Sequence, residues 1–294
     1  MRVHSNFKPG LPKNVKQSLS KTLSKLNSFR SDDFVIDELF RPSTHLLNRK
    51  GKLLRPALVF LSAQALREDS LKFVDLAAAI ELLHVSSLVH DDIIDKELFR
   101  RGKRAVNVVC GNEIAILAGD ALISKAIQLS SKYGKEVLYS ISSAALEMCA
   151  GELLDYGSQR SNTKPDVRKY LEIARLKTAS LLGTSCSIVS VYKRSPATKE
   201  LYNYGVNLGM AFQIRDDILD FMEPDGRAKN KTEAEANIVE LIRQKHGVGT
   251  KEALQKAAGL NRSYIRQAID ELRNKRISKL LEPYARMIGV DLKG

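Results

Sequence analysis

Apolar and small residues recur at three- and four-residue intervals along nearly every long segment. Leu76, Ala79, Ile80, Leu83 and Ser87 do so in one stretch, and Ile173, Leu176, Ser180, Leu181 and Thr184 in another. That period marks helices with one face turned to a core, while the alternation expected of strands is scarce. Breaks are predicted where Gly, Pro, Asn or Ser interrupt the period: Lys50-Gly51, Arg101-Gly102, Ser161 to Pro165, Ser195-Pro196 and Glu223 to Gly226. Ser195 before Pro196 also fits a helix cap with proline in the first turn. No stretch between the breaks has linker composition, and no repeat of solenoid period is present, so residues 1–294 are expected to form a single all-α domain, one large helical bundle. The tail from Lys251 to Gly294 keeps the helical spacing but carries many charges, which predicts a peripheral layer.

Composition narrows the partners. With 44% hydrophobic and 28% charged residues the chain can bury a sizeable core. Its formal net charge of +13 points to nucleic acid, an anionic membrane surface or phosphorylated substrates. Zinc-finger spacing, a basic zipper and aromatic-rich strand motifs are missing, and aromatics are 6% with no Trp, which argues against nucleic acid. Cys110, Cys149 and Cys186 are odd in number and lie in apolar surroundings, so reduced, buried thiols in a cytoplasmic protein are expected. Met1 to Lys25 does not read as a secretory signal, and the longest uncharged stretch, Thr178 to Tyr192, is shorter than the ~20 residues a spanning helix needs. No transmembrane segment is expected.

The chemistry concentrates in two Asp-Asp-x-x-Asp triplets: Asp91, Asp92 and Asp95 in LLHVSSLVHDDIID, and Asp216, Asp217 and Asp220 in FQIRDDILD. At about 100° per residue, Asp91 lies within ~20° of Ile80 and His84 on a helix, with Asp95 ~40° further round. The acids therefore continue an inward apolar stripe. Like charges four residues apart repel, and burying them unpaired costs several kcal/mol, so the pattern calls for a compensating cation. An all-oxygen donor set favours Mg²⁺, which takes a few carboxylates together with phosphate oxygens and water, and this points to a diphosphate substrate. A lone triplet could equally be a solvated acidic face, but two with apolar flanks tip the balance.

With these residues the chain resembles the trans-isoprenyl diphosphate synthases, the family of farnesyl, geranylgeranyl and longer polyprenyl diphosphate synthases. The likeness runs in order from Gly51 to Phe221. Gly51-Lys52-Leu53-Leu54-Arg55-Pro56 resembles the family's Gly-Lys-x-x-Arg-Pro, and Glu81 to Asp95 with Arg100-Arg101-Gly102 resembles the first aspartate-rich region. Gly111-Asn112, Gly119-Asp120, Lys177-Thr178 and Gln213 to Asp220 follow in family order. The resemblance implies an isoprenoid-synthase bundle around a central active-site cavity, with Mg²⁺ as cofactor. It implies isopentenyl diphosphate and an allylic prenyl diphosphate as substrates, joined head-to-tail by metal-assisted ionisation.

By the same resemblance Asp91, Asp95 and Asp216 are the principal metal ligands, with Asp92, Asp217 and Asp220 completing the shell directly or through water. Lys52, Arg55, His84 and Arg101 bind isopentenyl diphosphate; Arg100, Lys177, Thr178 and Gln213 contact the allylic diphosphate, Lys177 as part of the catalytic set. Ser86, five residues before Asp91, and Ser87 help floor the hydrocarbon pocket, with Ile123 and Ile127 as reinforcement. Small residues there imply a product longer than farnesyl. His90 reads as a packing residue. A homodimer is implied, with a heterodimer open. The match breaks after Phe221, where EPDGRAKNKTEAEAN replaces the family's Gly-Lys loops, and Lys229 and Lys231 read as a solvated basic turn rather than ligands. A partner-dependent, non-catalytic subunit and a terpene cyclase are the rival readings, the latter opposed by the isopentenyl-site residues.

Overall fold

A computed structural model describes residues 10–47, 53–160, 165–222 and 236–290. The chain is all-α. In order, the helices are α1 (Lys13–Asn27), α2 (Asp37–Thr44), α3 (Leu54–Ala65), α4 (Val74–Ile94), α5 (Val106–Cys110), α6 (Asn112–Ser131), α7 (Lys135–Arg160), α8 (Val167–Ala174), α9 (Ser180–Tyr192), α10 (Thr198–Met222), α11 (Ile238–His246), α12 (Thr250–Glu271) and α13 (Lys275–Met287). Sheet among the described residues is limited to a hairpin pairing Phe99–Arg100 with Lys103–Arg104.

The described residues group into two compact units, one within Lys8–Ser143 and Ile188–Ser195, the other within Ala144–Ser187 and Pro196–Gly294. In the first, α4 packs along α6 and against α1 and α3. Leu76 to Leu83 of α4 and Ala57 to Ala63 of α3 are buried on every side, the mark of helices at the centre of a core. At roughly 1.5–3 kcal/mol per buried Leu, Ile or Phe, this packing can hold polar groups at the helix ends in place. In the second unit α10 is central, flanked by α12 and α11. Ala253, Ala257, Ala258, Ile265 and Ala268 bury one face of α12, and the fully buried Asn261 donates to the Ala211 carbonyl at 2.7 Å while accepting from Val290 N. The charged tail is therefore more than a peripheral layer, because its small apolar face lets α12 press close to α10.

Local chemistry sets the helix starts. Asp166 accepts from Lys169 N at the start of α8, Asn237 from Val239 N at α11, and Asn274 from Arg276 and Ile277 N at α13. The break at Ser195-Pro196 is observed, but α10 begins at Thr198, so Ser195 is not its cap. The break at Lys50-Gly51 lies outside the described residues, as does Glu223 to Gly226. All three cysteines are free, yet only Cys186 is buried; Cys110 is half-buried and Cys149 exposed, since the apolar runs around them do not all face a core. Ser70–Ile94, Asn112–Ser131 and Lys135–Arg160 are long and apolar enough to cross a membrane by length and composition. Counting only uncharged stretches overlooks them, because each carries isolated charges.

Candidate active site

Both aspartate triplets end their helices. Asp91 and Asp92 lie in the last turn of α4 and Asp95 caps it, its amide donating to the Asp91 carbonyl at 2.8 Å. Asp216, Asp217 and Asp220 occupy the last two turns of α10. A helix C-terminus carries partial negative charge, so carboxylates there are disfavoured unless something positive compensates them.

In the first unit compensation is partial. Asp92 is fully buried, and its Oδ1 accepts from Arg100 Nε at 2.6 Å, with Nη2 at 2.5 Å. Its Oδ2 is buried with no hydrogen-bond partner among the described residues. Burial pushes the Asp92 carboxyl up to about 6, against the pull of Arg100. Arg100 and Arg101 sit on the hairpin after α4, whose turn has positive φ at both Arg101 (52°) and Gly102 (74°), as a type I′ turn requires. Arg101 thus holds a conformation that L-residues disfavour, a strain of the kind found at binding sites.

Behind the triplet, Arg101 Nη2 lies 3.7 Å from Oε1 of the buried Glu81. Burial lowers Arg55 to about 10, opposed by Glu81 and reinforced by Arg101. Burial, and then the charges of Arg55, Arg101 and Arg100, hold His84 well below the usual imidazole range, so it is neutral. Burial raises Glu81, against both arginines. With Arg100 paired to Asp92, Arg55 and Arg101 share the single buried carboxylate of Glu81, which leaves positive charge for an anion with several oxygens. Lys52 lies outside the described residues. Ser86 donates to the Gly119 carbonyl at 2.9 Å, and Ser87 to the His84 carbonyl. His90 packs flat over Gly119, where a Cβ would fall 2.1 Å from Nε2, and its Nε2 lies 3.2 Å from the Ile116 carbonyl.

In the second unit α8 and α9 form one continuous helix interrupted by a π-turn at Arg175–Ala179, which contains Lys177 and Thr178. Such insertions gather at functional sites. Two glycines admit it. A Cβ on Gly151 of α7 would lie 2.4 Å from Lys177 N, and one on Gly209 of α10 would lie 2.6 Å from Ala179 Cα. Beside Gly151, Glu152 and Asp155 hold Lys177 Nζ at 2.7 and 2.8 Å. Thr178 Oγ1 donates to Gln213 Oε1 at 3.0 Å, and Gln213 Nε2 donates to Asp217 Oδ1 at 3.1 Å. Asp216 is half-buried and Asp220 exposed.

The polyprenyl synthetase family model matches residues 36–278, which covers both units. The chain belongs to that family. It is 40% identical over 190 residues to the geranylgeranyl pyrophosphate synthase of Geoglobus acetivorans, a stretch covering 62% of this chain and 59% of that protein. It is 34% identical over 215 residues to heptaprenyl diphosphate synthase component 2 of Geobacillus stearothermophilus, covering 68% and 67%. The solved structure of the geranylgeranyl pyrophosphate synthetase from Geoglobus acetivorans superposes with a TM-score of 0.79 at 28% identity, over 94% of this chain and 98% of that one.

The family employs a divalent metal to ionise its diphosphate substrate. The residues present fit such an ion: two all-oxygen donor sets stand at negative helix ends, and Asp92 Oδ2 is buried without a partner. Among the described residues no three His, Cys, Asp or Glu side chains close a cage by themselves.

In the first unit Arg100 engages the first triplet, while Arg55, His84 and Arg101 share the surroundings of Glu81; in the second, Thr178 and Gln213 lead to Asp217, while Lys177 is held by Glu152 and Asp155. Among the middle aspartates, Asp92 is engaged by Arg100 and Asp217 by Gln213, so both meet protein donors. Sequence reasoning passed over Glu81, Glu152, Asp155 and the π-turn. Glu152 and Asp155, three residues apart just after Gly151, offered a weak signal.

Proposed function

We propose that the protein is a polyprenyl diphosphate synthase that condenses isopentenyl diphosphate head-to-tail (1′-4) with an allylic diphosphate to give a trans product longer than farnesyl. The observation that carries this is the second triplet beside a π-turn presenting Lys177 and Thr178, in a chain whose first triplet adjoins a neutral His84 and three arginines.

Asp91 and Asp95 of the one triplet, and Asp216 with Asp220 through water of the other, would hold Mg²⁺, which when bound would supply positive charge for the departing diphosphate. Lys177, Thr178 and Gln213 orient the allylic diphosphate, and Arg100 adds a forked donor while keeping Asp92 in place. Arg55, His84 and Arg101, with Lys52, bind isopentenyl diphosphate, whose double bond attacks the allylic carbon before a proton is lost. Glu81 keeps the arginines spread. The chain is proposed to act as one domain. Ser86 and Ser87 set no bulky barrier to a growing chain. The protein works as a homodimer in a reducing cytoplasm, a setting favoured by its three free thiols.

A second reading, a subunit active only with a partner chain, is favoured by one observation: a relative at 34% identity is named as a component of a heptaprenyl synthase. Incubation of the purified protein with labelled isopentenyl diphosphate and geranyl, farnesyl or geranylgeranyl diphosphate, with and without magnesium, separates the two. Metal-dependent elongation past farnesyl is expected, with Ser86→Tyr shifting the products shorter. No elongation from any primer favours the subunit reading, and an unchanged product range in Ser86→Tyr removes Ser86 from the floor.

A further inference from the structure

Asp217 stands in the second triplet where a metal ligand is expected, yet its surroundings are those of a structural strut. It is 3% exposed. Its Oδ2 accepts from the Tyr170 hydroxyl at 2.8 Å and from the Ile238 amide at 2.9 Å, and its Oδ1 from Gln213 Nε2 at 3.1 Å. Its own carbonyl accepts from Asn237 Nδ2 at 2.9 Å. Ile238 is the first residue of α11, so the carboxylate at the negative end of α10 lies against the positive end of α11 and accepts one of its otherwise unsatisfied amides. Asp217 therefore has its compensation from protein groups.

We propose that Asp217 and Tyr170 are positioning residues, a clamp that fastens the start of α11 to α10 and fixes the amide of Gln213, rather than members of the metal shell. The nitrogen of Gln213 faces Asp217, and its Oε1 faces Thr178. The order of donors then runs from the Thr178 hydroxyl to Gln213 and from Gln213 to Asp217. The remaining N–H of Gln213 is left as a donor for a diphosphate oxygen. Tyr170, buried beside the carboxylate, stands as its hydroxyl donor at 2.8 Å. The catalytic consequence rests on the function proposed above; the clamp itself does not.

Asp217→Asn and Tyr170→Phe test it. Asparagine offers one oxygen to donors that now meet two and turns an N–H toward the rest; phenylalanine removes one donor and cannot touch a metal. In metal-free, substrate-free protein, hydrogen exchange at the Ile238 amide is expected to accelerate about tenfold or more in Asp217→Asn, with a smaller acceleration in Tyr170→Phe. In turnover, both variants should raise KM for the allylic diphosphate about tenfold while KM for isopentenyl diphosphate and the magnesium midpoint stay within about twofold. Asp216→Asn, a ligand variant, should move that midpoint by clearly more. A magnesium midpoint in Asp217→Asn that moves with that of Asp216→Asn, with Ile238 exchange unchanged, overturns the clamp. So does Tyr170→Phe leaving both exchange and KM unaltered, which covers the case in which Asp217→Asn fails to fold. If the wild type elongates no primer, the function fails while the exchange result still decides the clamp.

Discussion

At the scale of single residues, Asp92 carries the sharpest conflict. Its carboxyl is raised from the ordinary value near 3.8 to about 6, by burial first and with Arg100 pulling the other way. The folded protein thus binds this proton more tightly than the unfolded chain. Stability from Asp92 is full below about pH 4 and is lost as pH rises through about 6, the reverse of a salt-bridged surface acid. The interval corresponds to about 3 kcal/mol at most. In metal-free protein, the urea midpoint of the wild type should fall between about pH 4.5 and 7 by more than that of Asp92→Asn, and magnesium should narrow the gap. Equal slopes for the two proteins would remove Asp92 as the source. The triplets were legible in the sequence because acids on an apolar stripe violate its pattern. The division of labour within them was not. The donors that engage the middle acids come from Arg100, eight residues on, and from Ile238, twenty-one residues on, and no local spacing encodes those meetings.

At the scale of elements, the helical period of Ile173, Leu176, Ser180 and Leu181 predicted a helix there, and one is present. The π-turn inside it was not foreseeable from the period. A single inserted residue shifts the phase by less than the width of the buried stripe, and its support comes from Gly151 and Gly209 on other helices. Likewise Arg101-Gly102 was legible as a break, but the hairpin that strains Arg101 depends on the pairing of Phe99 with Arg104. The glycine contacts make a testable claim. In Gly151→Ala the new methyl must displace the backbone at Lys177, not a flexible side chain, so overpacking should cost about 1–3 kcal/mol and move Nζ away from Glu152 and Asp155. Denaturation midpoints should drop, and KM for the allylic diphosphate should rise. A fully stable Gly151→Ala protein with wild-type KM would mean that the close approach of α7 to the π-turn carries no functional weight.

At the scale of the whole molecule, the helical period predicted apolar faces turned to a core, and several such side chains are instead exposed. On α6 Ile114, Ile116, Leu117 and Ile127 are exposed, Leu117 to 58%. Along α7 the exposed Tyr139, Leu146 and Leu153 recur every seven residues, which is one stripe of a helix. Apolar positions seven apart on a helix end up facing either a core or a partner, and the sequence alone holds no sign of which. The exposed apolar side chains of α6 mark a surface that something covers. The homodimer proposed above would cover it, since a twofold dimer buries the same patch on both partners. A membrane is the other candidate, because α6 and α7 are also long and apolar enough to enter one. A charge on this surface separates the two. Leu117→Glu places a carboxylate where a dimer would exclude water, so sedimentation should show the mass fall from about twice 32.7 kDa to the single-chain value. Since Leu117 packs into no core of its own unit, the variant should keep its helical signal. If the wild type already sediments as a single chain and binds anionic vesicles, and Leu117→Glu abolishes that binding, the surface belongs to the membrane and the homodimer reading falls.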